Sequence, residues 1–375
     1  QMFSKISVIG LGYIGLPTAA VFASRKVQVI GVDVSSEVVE TINRGDIHIV
    51  EPDLDIAVRS AVTEGYLRAT LTPEPAEAFL IAVPTPFKGD DHEPDLKYIE
   101  AAAKAIAPVL EAGNLVILES TSPVGATEQM SHWLAHARPD LSFPQDAGEA
   151  SDIRVAHCPE RVLPGKVMQE LLSNDRVIGG MTETCSQLAI ALYKTFVQGE
   201  CVVTNSRTAE MAKLTENSFR DVNIAFANEL SIVADEMDLN VWEVIGLANR
   251  HPRVNILQPG PGVGGHCIAV DPWFIIHGAP EQTPLIRIAR EVNDGKTGHV
   301  LAQASLMIDQ LPGASIACFG LAFKANIDDF RESPALKIAT QLARRYGGRI
   351  KIVEPYVNRL PSEFEGTGAE LIDID

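Results

Sequence analysis

Two doubly wound α/β units with parallel sheets, joined by a helical middle, are what this sequence predicts, on three observations. A strand, a glycine turn, a helix and a second strand ending in an acid fill residues 6–33. A run without Pro or Gly covers residues 206–238, and a strand, a helix and a strand return over 315–353. The 375 residues also exceed one domain at ~150 residues each. The expected divisions are 1–204, 205–310 and 311–375. The last unit stops where another βα repeat is expected, so it reads as C-terminally truncated.

Taken in order, the first strand is Ile6-Ser7-Val8-Ile9, followed by Gly10-Leu11-Gly12-Tyr13-Ile14-Gly15, a helix over 16–24 and a strand over 27–32 that ends at Asp33. Each part has a physical purpose. Gly10 permits the tight turn, Gly12 lets backbone approach a pyrophosphate, Gly15 lets helix pack on strand, and the helix N-terminus faces the phosphates. Asp33 would accept from a ribose 2′-OH, and no Arg directly follows it to neutralise a 2′-phosphate, which favours NAD over NADP. In this strand–turn–helix context the motif reads as a Rossmann-like dinucleotide site; a tight βα turn without ligand is the alternative.

Strands over 78–83 and 115–118 open into Pro84-Thr85-Pro86 and Glu119-Ser120-Thr121-Ser122. The carboxyl ends of parallel strands line the ligand crevice, so Thr85 and Thr121 either meet cofactor or substrate or cap their turns. The run 206–238 carries Leu214, Val222, Phe226, Leu230, Val233 and Met237 at helical spacing. At ~1.5 Å per residue it spans a domain diameter and suits a connector. The glycine-rich segment 260–265, more helix through about 310, a strand over 315–319, a helix over 334–346 and a strand over 349–353 complete the chain.

Composition narrows the function. Asp and Glu total 49 against 31 Lys and Arg, a net charge of −18, and that surface repels phosphate backbones and anionic lipid heads. Nucleic acid and membrane surfaces are therefore poor partners, although a few cations in one cleft can still hold a small anion. The five cysteines include no C-x-x-C pair, which argues against a disulfide framework or a zinc site. No apolar stretch approaches ~18 residues. The first strand begins within a few residues of Met2, leaving no room for a leader, so the expected location is cytoplasmic. Gln1, ahead of Met2, reads as a cloning remnant.

Lys213, Asn217 and Arg220 share one helical stripe, either a solvated polar face or a ligand-facing one. Cys267 follows the glycine segment, with Asp271 four residues on. A lone cysteine is commonly a buried small hydrophobe; as a thiolate stabilised by a cation such as Lys213 it would be a nucleophile.

Together these features resemble the nucleotide-sugar 6-dehydrogenases. The residues that carry the resemblance are Gly10, Gly12 and Gly15; Val83-Pro84-Thr85-Pro86; Ser120-Thr121-Ser122-Pro123-Val124-Gly125; Cys158-Pro159-Glu160-Arg161; Glu210, Lys213 and Asn217; Gly264-Gly265-His266-Cys267 with Asp271; and Phe319-Gly320-Leu321-Ala322-Phe323-Lys324. They fall in order along nearly the whole chain.

The resemblance implies a four-electron oxidation of a sugar C6 alcohol to a carboxylate with two NAD and one water. Cys267 would carry a thiohemiacetal and then a thioester, while Lys213 and Asn217 hold the developing oxyanion. Asp271, Thr121 and Glu160 would position and activate water. Substrate contacts are implied at Arg161, Val162, Lys213, Asn217, Arg220, His251, Arg253, Gly264, Phe323 and Lys324. Cofactor contacts are implied at Gly10, Gly12, Tyr13, Ile14, Gly15, Asp33, Thr85, Thr127 and Arg331. For Arg331 a pair with Asp328, and for His251 a backbone cap, are the alternatives.

The stretches 204–217, 249–255 and 267–273 resemble the branch acting on UDP-N-acetyl-D-mannosamine, whose uronate product enters bacterial surface polysaccharides such as enterobacterial common antigen. Val270 stands where relatives acting on glucose or mannose nucleotides usually have Lys, which favours a UDP-N-acetylhexosamine substrate. A homodimer is implied as well. The competing readings are UDP-N-acetylglucosamine as substrate, a two-electron dehydrogenase in which Cys267 is structural, and a non-catalytic NAD-binding relative.

Overall fold

The computed structural model describes residues 2–265 and 267–374. Gln1, Asp375 and His266, part of the glycine–cysteine motif, lie outside the described residues. The chain divides into two compact units, residues 1–214 and 215–375.

Strands of the first unit are β1 (Lys5–Ile9), β2 (Gln28–Val32), β3 (Leu67–Thr70), β4 (Ala78–Ile81), β5 (Phe87–Lys88), β6 (Glu93–Pro94), β7 (Leu115–Leu118), β8 (Arg154–His157), β9 (Arg176–Gly180) and β10 (Cys201–Asn205). Its helices are α1 (Gly15–Ser24), α2 (Ser36–Asn43), α3 (Leu54–Thr63), α4 (Lys97–Ile106), α5 (Ala126–Ala137), α6 (Pro144–Ala147), α7 (Val167–Ser173) and α8 (Glu183–Tyr193). Eight strands form one sheet in the order β10-β9-β8-β7-β4-β1-β2-β3, and β5 and β6 form a short hairpin.

Strand order reverses direction between β1 and β4, the place where an open α/β sheet binds ligands beyond its strand ends. Both central strands are apolar and buried on both faces, as β4 (Ala78-Phe79-Leu80-Ile81) illustrates. Helix α1 is buried from Gly15 to Ala23, which explains why it is apolar nearly all round rather than amphipathic.

The expectation of a parallel sheet needs one correction, because β9 runs antiparallel to β8. A parallel neighbour requires a crossover spanning the sheet. The connection over 158–175, which holds the seven-residue α7, returns the chain beside β8 in the opposite sense.

Helix α9 (Ser206–Glu236) is continuous; residues 206–214 belong to the first unit and the rest to the second. The second unit continues with α10 (Val241–Ala248), α11 (Asp271–Gly278) and α12 (Pro284–Asp309). A parallel three-stranded sheet follows, in the order β11 (Ile316–Phe319), β12 (Ile350–Val353), β13 (Glu370–Leu371), packed with α13 (Pro334–Tyr346). Its core joins Leu321, Leu336, Leu342, Ile350, Ile352 and Phe364. Ser333 starts α13 by accepting from the Leu336 N–H, and Pro334 fills the first helical position, where no N–H is needed.

Glu210, wholly buried on α9, caps α5 inside the first unit. Its carboxylate accepts from the N–H groups of Gly125 and Thr127 and from the Thr127 hydroxyl, each at 2.9 Å. Glu210→Ala strands these donors in the interior and should destabilise the first unit by about 2–4 kcal/mol, with Glu210→Gln losing less. Urea unfolding followed by circular dichroism measures the difference.

Candidate active site

The glycine turn after β1 is built by contact between backbones. Gly10 has φ +94°, and a Cβ there would lie 2.4 Å from the Ala82 carbonyl oxygen. A Cβ on Gly15 would sit 1.7 Å from the Gly10 carbonyl oxygen, whereas one on Gly12 would meet nothing within 4 Å. The turn is thus closed at its ends and open at Gly12, a cradle that fits a pyrophosphate against the start of α1.

Asp33, at the end of β2, receives the Leu11 N–H at 3.1 Å and the Ser35 N–H at 3.0 Å. Its carboxylate therefore holds the glycine turn to the end of β2. Tyr13 is half-buried against the first core and Ile14 precedes α1.

Beyond β4 and β7 the structure joins two expected residues, because the Thr85 hydroxyl donates to the Thr121 carbonyl at 2.5 Å. The Ser120 hydroxyl reaches back to the Val83 carbonyl at 2.7 Å and fastens the same pair of loops. Thr127 is wholly buried and its hydroxyl is spent on Glu210.

The loop after β8 carries Glu160, Arg161 and Val162. Glu160 is buried, accepts the Val162 N–H at 2.7 Å and faces Arg176 at 3.7 Å. Arg176 also meets Glu119 at 3.3 Å, and the Tyr193 hydroxyl donates to Glu119 at 2.5 Å. Burial pushes the Glu119 carboxyl above its usual range, against the pull of Arg176 and Tyr193.

Neighbouring groups are chemically quiet. Burial pushes the Cys158 thiol up to about 12 and, with Arg176 nearby, lowers His157 to about 3. Burial also raises Cys201 and, in the second unit, Cys318. Cys185 is buried as well.

In the second unit, Cys267 and Asp271 sit at the two ends of one turn. The Cys267 carbonyl accepts the N–H groups of Val270 at 3.1 Å and Asp271 at 2.8 Å. Cys267 is half-buried, while Asp271 is 1% exposed and opens α11. The Asn217 amide on α9 donates to the Asp271 carboxylate at 2.5 Å, so two of the expected catalytic residues touch. Lys213 and Asn217 are both buried, whereas Arg220 is exposed.

The glycine segment packs with equal closeness. A Cβ on Gly264 would fall 2.6 Å from the Phe323 Cβ and 2.8 Å from the Glu332 carbonyl oxygen, and the Gly265 N–H donates to the Arg331 carbonyl at 2.8 Å. Gly264 and Phe323 are thereby brought together, with Lys324 half-buried beside Phe323 in sequence. The Arg331 guanidinium forks onto Asp329 at 2.9 and 2.6 Å, where sequence reasoning had named Asp328 as the alternative partner.

His251 and Arg253 are exposed beyond α10, and a His251 ring nitrogen accepts the Arg253 N–H at 3.2 Å. This is the backbone cap named as its alternative. No hydrogen bond joins either residue to the Cys267 turn among the described residues.

Sequence reasoning missed the polar interiors behind these groups: Arg176 with Glu119 and Tyr193, Asp221 with Arg290, and the bonds by which Glu210, a residue of the Lys213 and Asn217 motif, caps α5. One signal was present, since Asp221 continues the Asn217 stripe by one turn of α9. Among the described residues no three His, Cys, Asp or Glu side chains could hold a metal, and no helix is long and apolar enough to cross a membrane.

Gly15→Ala should abolish the turn, because the new methyl collides with backbone rather than with a side chain that can rotate away. Fluorescence titration should show NAD binding lost, with Gly12→Ala less damaging to stability than Gly15→Ala.

Comparison with known proteins gives a consistent picture. Residues 4–197, 207–295 and 317–374 match the NAD binding, central and UDP binding domains of the UDP-glucose/GDP-mannose dehydrogenase family. A UDP-N-acetyl-D-mannosamine dehydrogenase of Yersinia pestis is 68% identical over 372 residues, covering 97% of this chain and 88% of the relative. An NDP-N-acetyl-D-galactosaminuronic acid dehydrogenase of Ralstonia nicotianae is 66% identical over 373 residues, covering 100% and 88%. The native structure of the UDP-N-acetyl-mannosamine dehydrogenase Cap5O from Staphylococcus aureus superimposes with a TM-score of 0.85 at 41% identity, covering 96% of this chain and 84% of that one.

Proposed function

The chain belongs to the UDP-glucose/GDP-mannose dehydrogenase family, and on that premise we propose that it oxidises C6 of UDP-N-acetyl-D-mannosamine from alcohol to carboxylate with two NAD and one water. The observation that carries the reading is the single turn holding Cys267 and Asp271, with Asn217 donating to Asp271. A two-electron alcohol oxidation requires neither a thiol nor a carboxylate placed to activate water.

NAD supplies the hydride acceptor for both oxidations, and the open Gly12 cradle with Asp33 is a fitting place for it. Loss of a hydride and a proton turns the alcohol into an aldehyde. The Cys267 sulfur adds to the aldehyde carbon and the oxygen takes a proton, forming a thiohemiacetal. Loss of a second hydride and the hydroxyl proton leaves a thioester. Water then adds, the carbon–sulfur bond breaks, and the carboxylate and the free thiol result.

Lys213 and Asn217 stabilise the oxyanion at C6, where donors fixed in advance are most effective. Asp271, Thr121 and Glu160 share the work of placing water and moving its proton. Arg161, Arg220, Arg253 and Lys324 offset the diphosphate and the new carboxylate, with Val162, Gly264 and Phe323 completing the substrate contacts, while His251 caps the Arg253 N–H instead. Tyr13, Ile14, Thr85 and Arg331 complete those to NAD, while Thr127, wholly buried with its hydroxyl on Glu210, holds the start of α5 instead. The division at 1–204, 205–310 and 311–375 belongs to this reading, and the three matched ranges support it.

A reduced Cys267 suits a cytoplasmic enzyme, and the product suits surface-polysaccharide synthesis. The chain also forms a homodimer through α9. Phe219, Phe226 and Val233 recur every seven residues, exposed, with Met237 and Trp242 beyond them, an apolar stripe that favours a second copy. Sedimentation should give a dimer at micromolar concentration, and a stable monomer would overturn this part.

The 66% identity to the Ralstonia relative favours one second reading, a galacto-configured N-acetylhexosamine substrate. NADH formed per sugar decides among UDP-N-acetyl-D-mannosamine, UDP-N-acetylgalactosamine and UDP-N-acetylglucosamine. Two NADH per mannosamine nucleotide are expected, with Cys267→Ser losing or stalling the second and Lys213→Ala lowering kcat about 100- to 1,000-fold. One NADH with free aldehyde in the wild type would make Cys267 structural, and none with any sugar would leave a binding role.

A further inference from the structure

Arg290 lies in α12, 1% exposed, and its guanidinium meets Asp221, the Ala269 carbonyl and, at 3.4 Å through Nη1, the Asp294 carboxylate one turn along α12. The Nε and Nη2 groups donate to the two carboxylate oxygens of Asp221 at 2.8 and 2.7 Å. The Nη1 group donates to the Ala269 carbonyl at 3.0 Å. Ala269 sits between Cys267 and Asp271, inside the turn that carries both.

That turn is consequently held from α9 at two points. Asn217 grips the Asp271 carboxylate directly, and Asp221, one helical turn further along, grips the Ala269 carbonyl through Arg290. Asn293 locks the pair by donating to the Asp221 carboxylate at 2.7 Å and to the Asp221 carbonyl at 3.0 Å. The same chain of bonds reaches the glycine segment. Asn228 donates to Asn293 at 2.8 Å and accepts the Gly260 N–H at 2.9 Å, while Lys296 donates to the Gly260 carbonyl at 3.1 Å.

A buried ion pair is weak evidence of stabilisation, because removing two charges from water offsets their attraction. What a satisfied fork does supply is direction: two donors fix the plane of the guanidinium, and the third donor then points one way. We propose that Arg290 is a positioning residue for the reaction, converting the packing of α9 and α12 into a fixed orientation of the Cys267 thiol and the Asp271 carboxylate. Lysine could neutralise Asp221 but could not reproduce the fork and the carbonyl bond together.

The inference deepens the thioester reading and rests on it. Arg290→Lys is the first test, with Asp221→Leu/Arg290→Met as a second variant that leaves no unpaired buried charge if the lysine fails to fold. Both should keep the far-UV spectrum, and KM should stay within about twofold. A displacement on the order of 1 Å costs about 100-fold, so kcat should fall by about that factor, with the second NADH lost before the first. The rate of Cys267 alkylation by iodoacetamide, which needs no turnover, should change in parallel.

Wild-type kcat, two NADH per sugar and an unchanged alkylation rate in a folded variant would overturn the inference. A wild-type enzyme that forms fewer than two NADH would instead overturn the thioester reading. The alkylation rate would still report on the turn.

Discussion

At the switch between β1 and β4, backbone meets backbone with no side chain between them, and the first unit depends on that approach. Gly10 and Gly15 have no Cβ because the Ala82 and Gly10 carbonyl oxygens occupy the space it would need. The Gly10 N–H meanwhile bonds to the Val32 carbonyl at 2.8 Å, carrying on the pairing of β1 with β2. Helix α1 can then lie directly on the sheet, and its N-terminus is delivered to the strand ends where Asp33, Thr85 and Thr121 gather. The ligand cradle is a by-product of how tightly the first βαβ segment must pack.

Both units place a buried charge behind the groups that would react. Glu210 fastens the Thr121–Gly125 loop's end to α9 in the first unit, and Arg176 stands between Glu119 and Glu160 in the same interior. Arg290 does comparable work in the second unit. Each is expensive to bury and bonds to several partners, although the Arg176 Nε has none among the described residues, so each favours one arrangement of loops over others of similar compactness. A site assembled from loops needs such support, since loop backbone has little secondary structure to hold it.

Local elements were legible because their cues are local. The span 334–346 was readable from Pro334, the periodicity of Leu336, Ala339 and Leu342, and the glycines that stop it, and α13 has those bounds. The helix expected over 206–238 ends at Glu236, close to the sequence estimate. The antiparallel sense of β9 was not legible, since a short apolar strand looks the same in either sense. The Cys267 and Asp271 motif was visible as spacing, but the bond from Asn217 to Asp271 spans 54 residues and has no local signature.

The sequence by itself determined the α/β class, the glycine turn with its terminal acid, the long helix and the ordered motifs of a nucleotide-sugar dehydrogenase. The first three rest on periodicity, turn chemistry and spacing between neighbours in the chain, and the motifs on their resemblance to that family. Tertiary structure alone decided that Thr127 serves Glu210 and that Arg290 grips Asp221 across 69 residues. The reason is physical. A polar side chain's partner is chosen by which helices dock and in what register, and its desolvation cost enforces that choice only once the interior has closed around it.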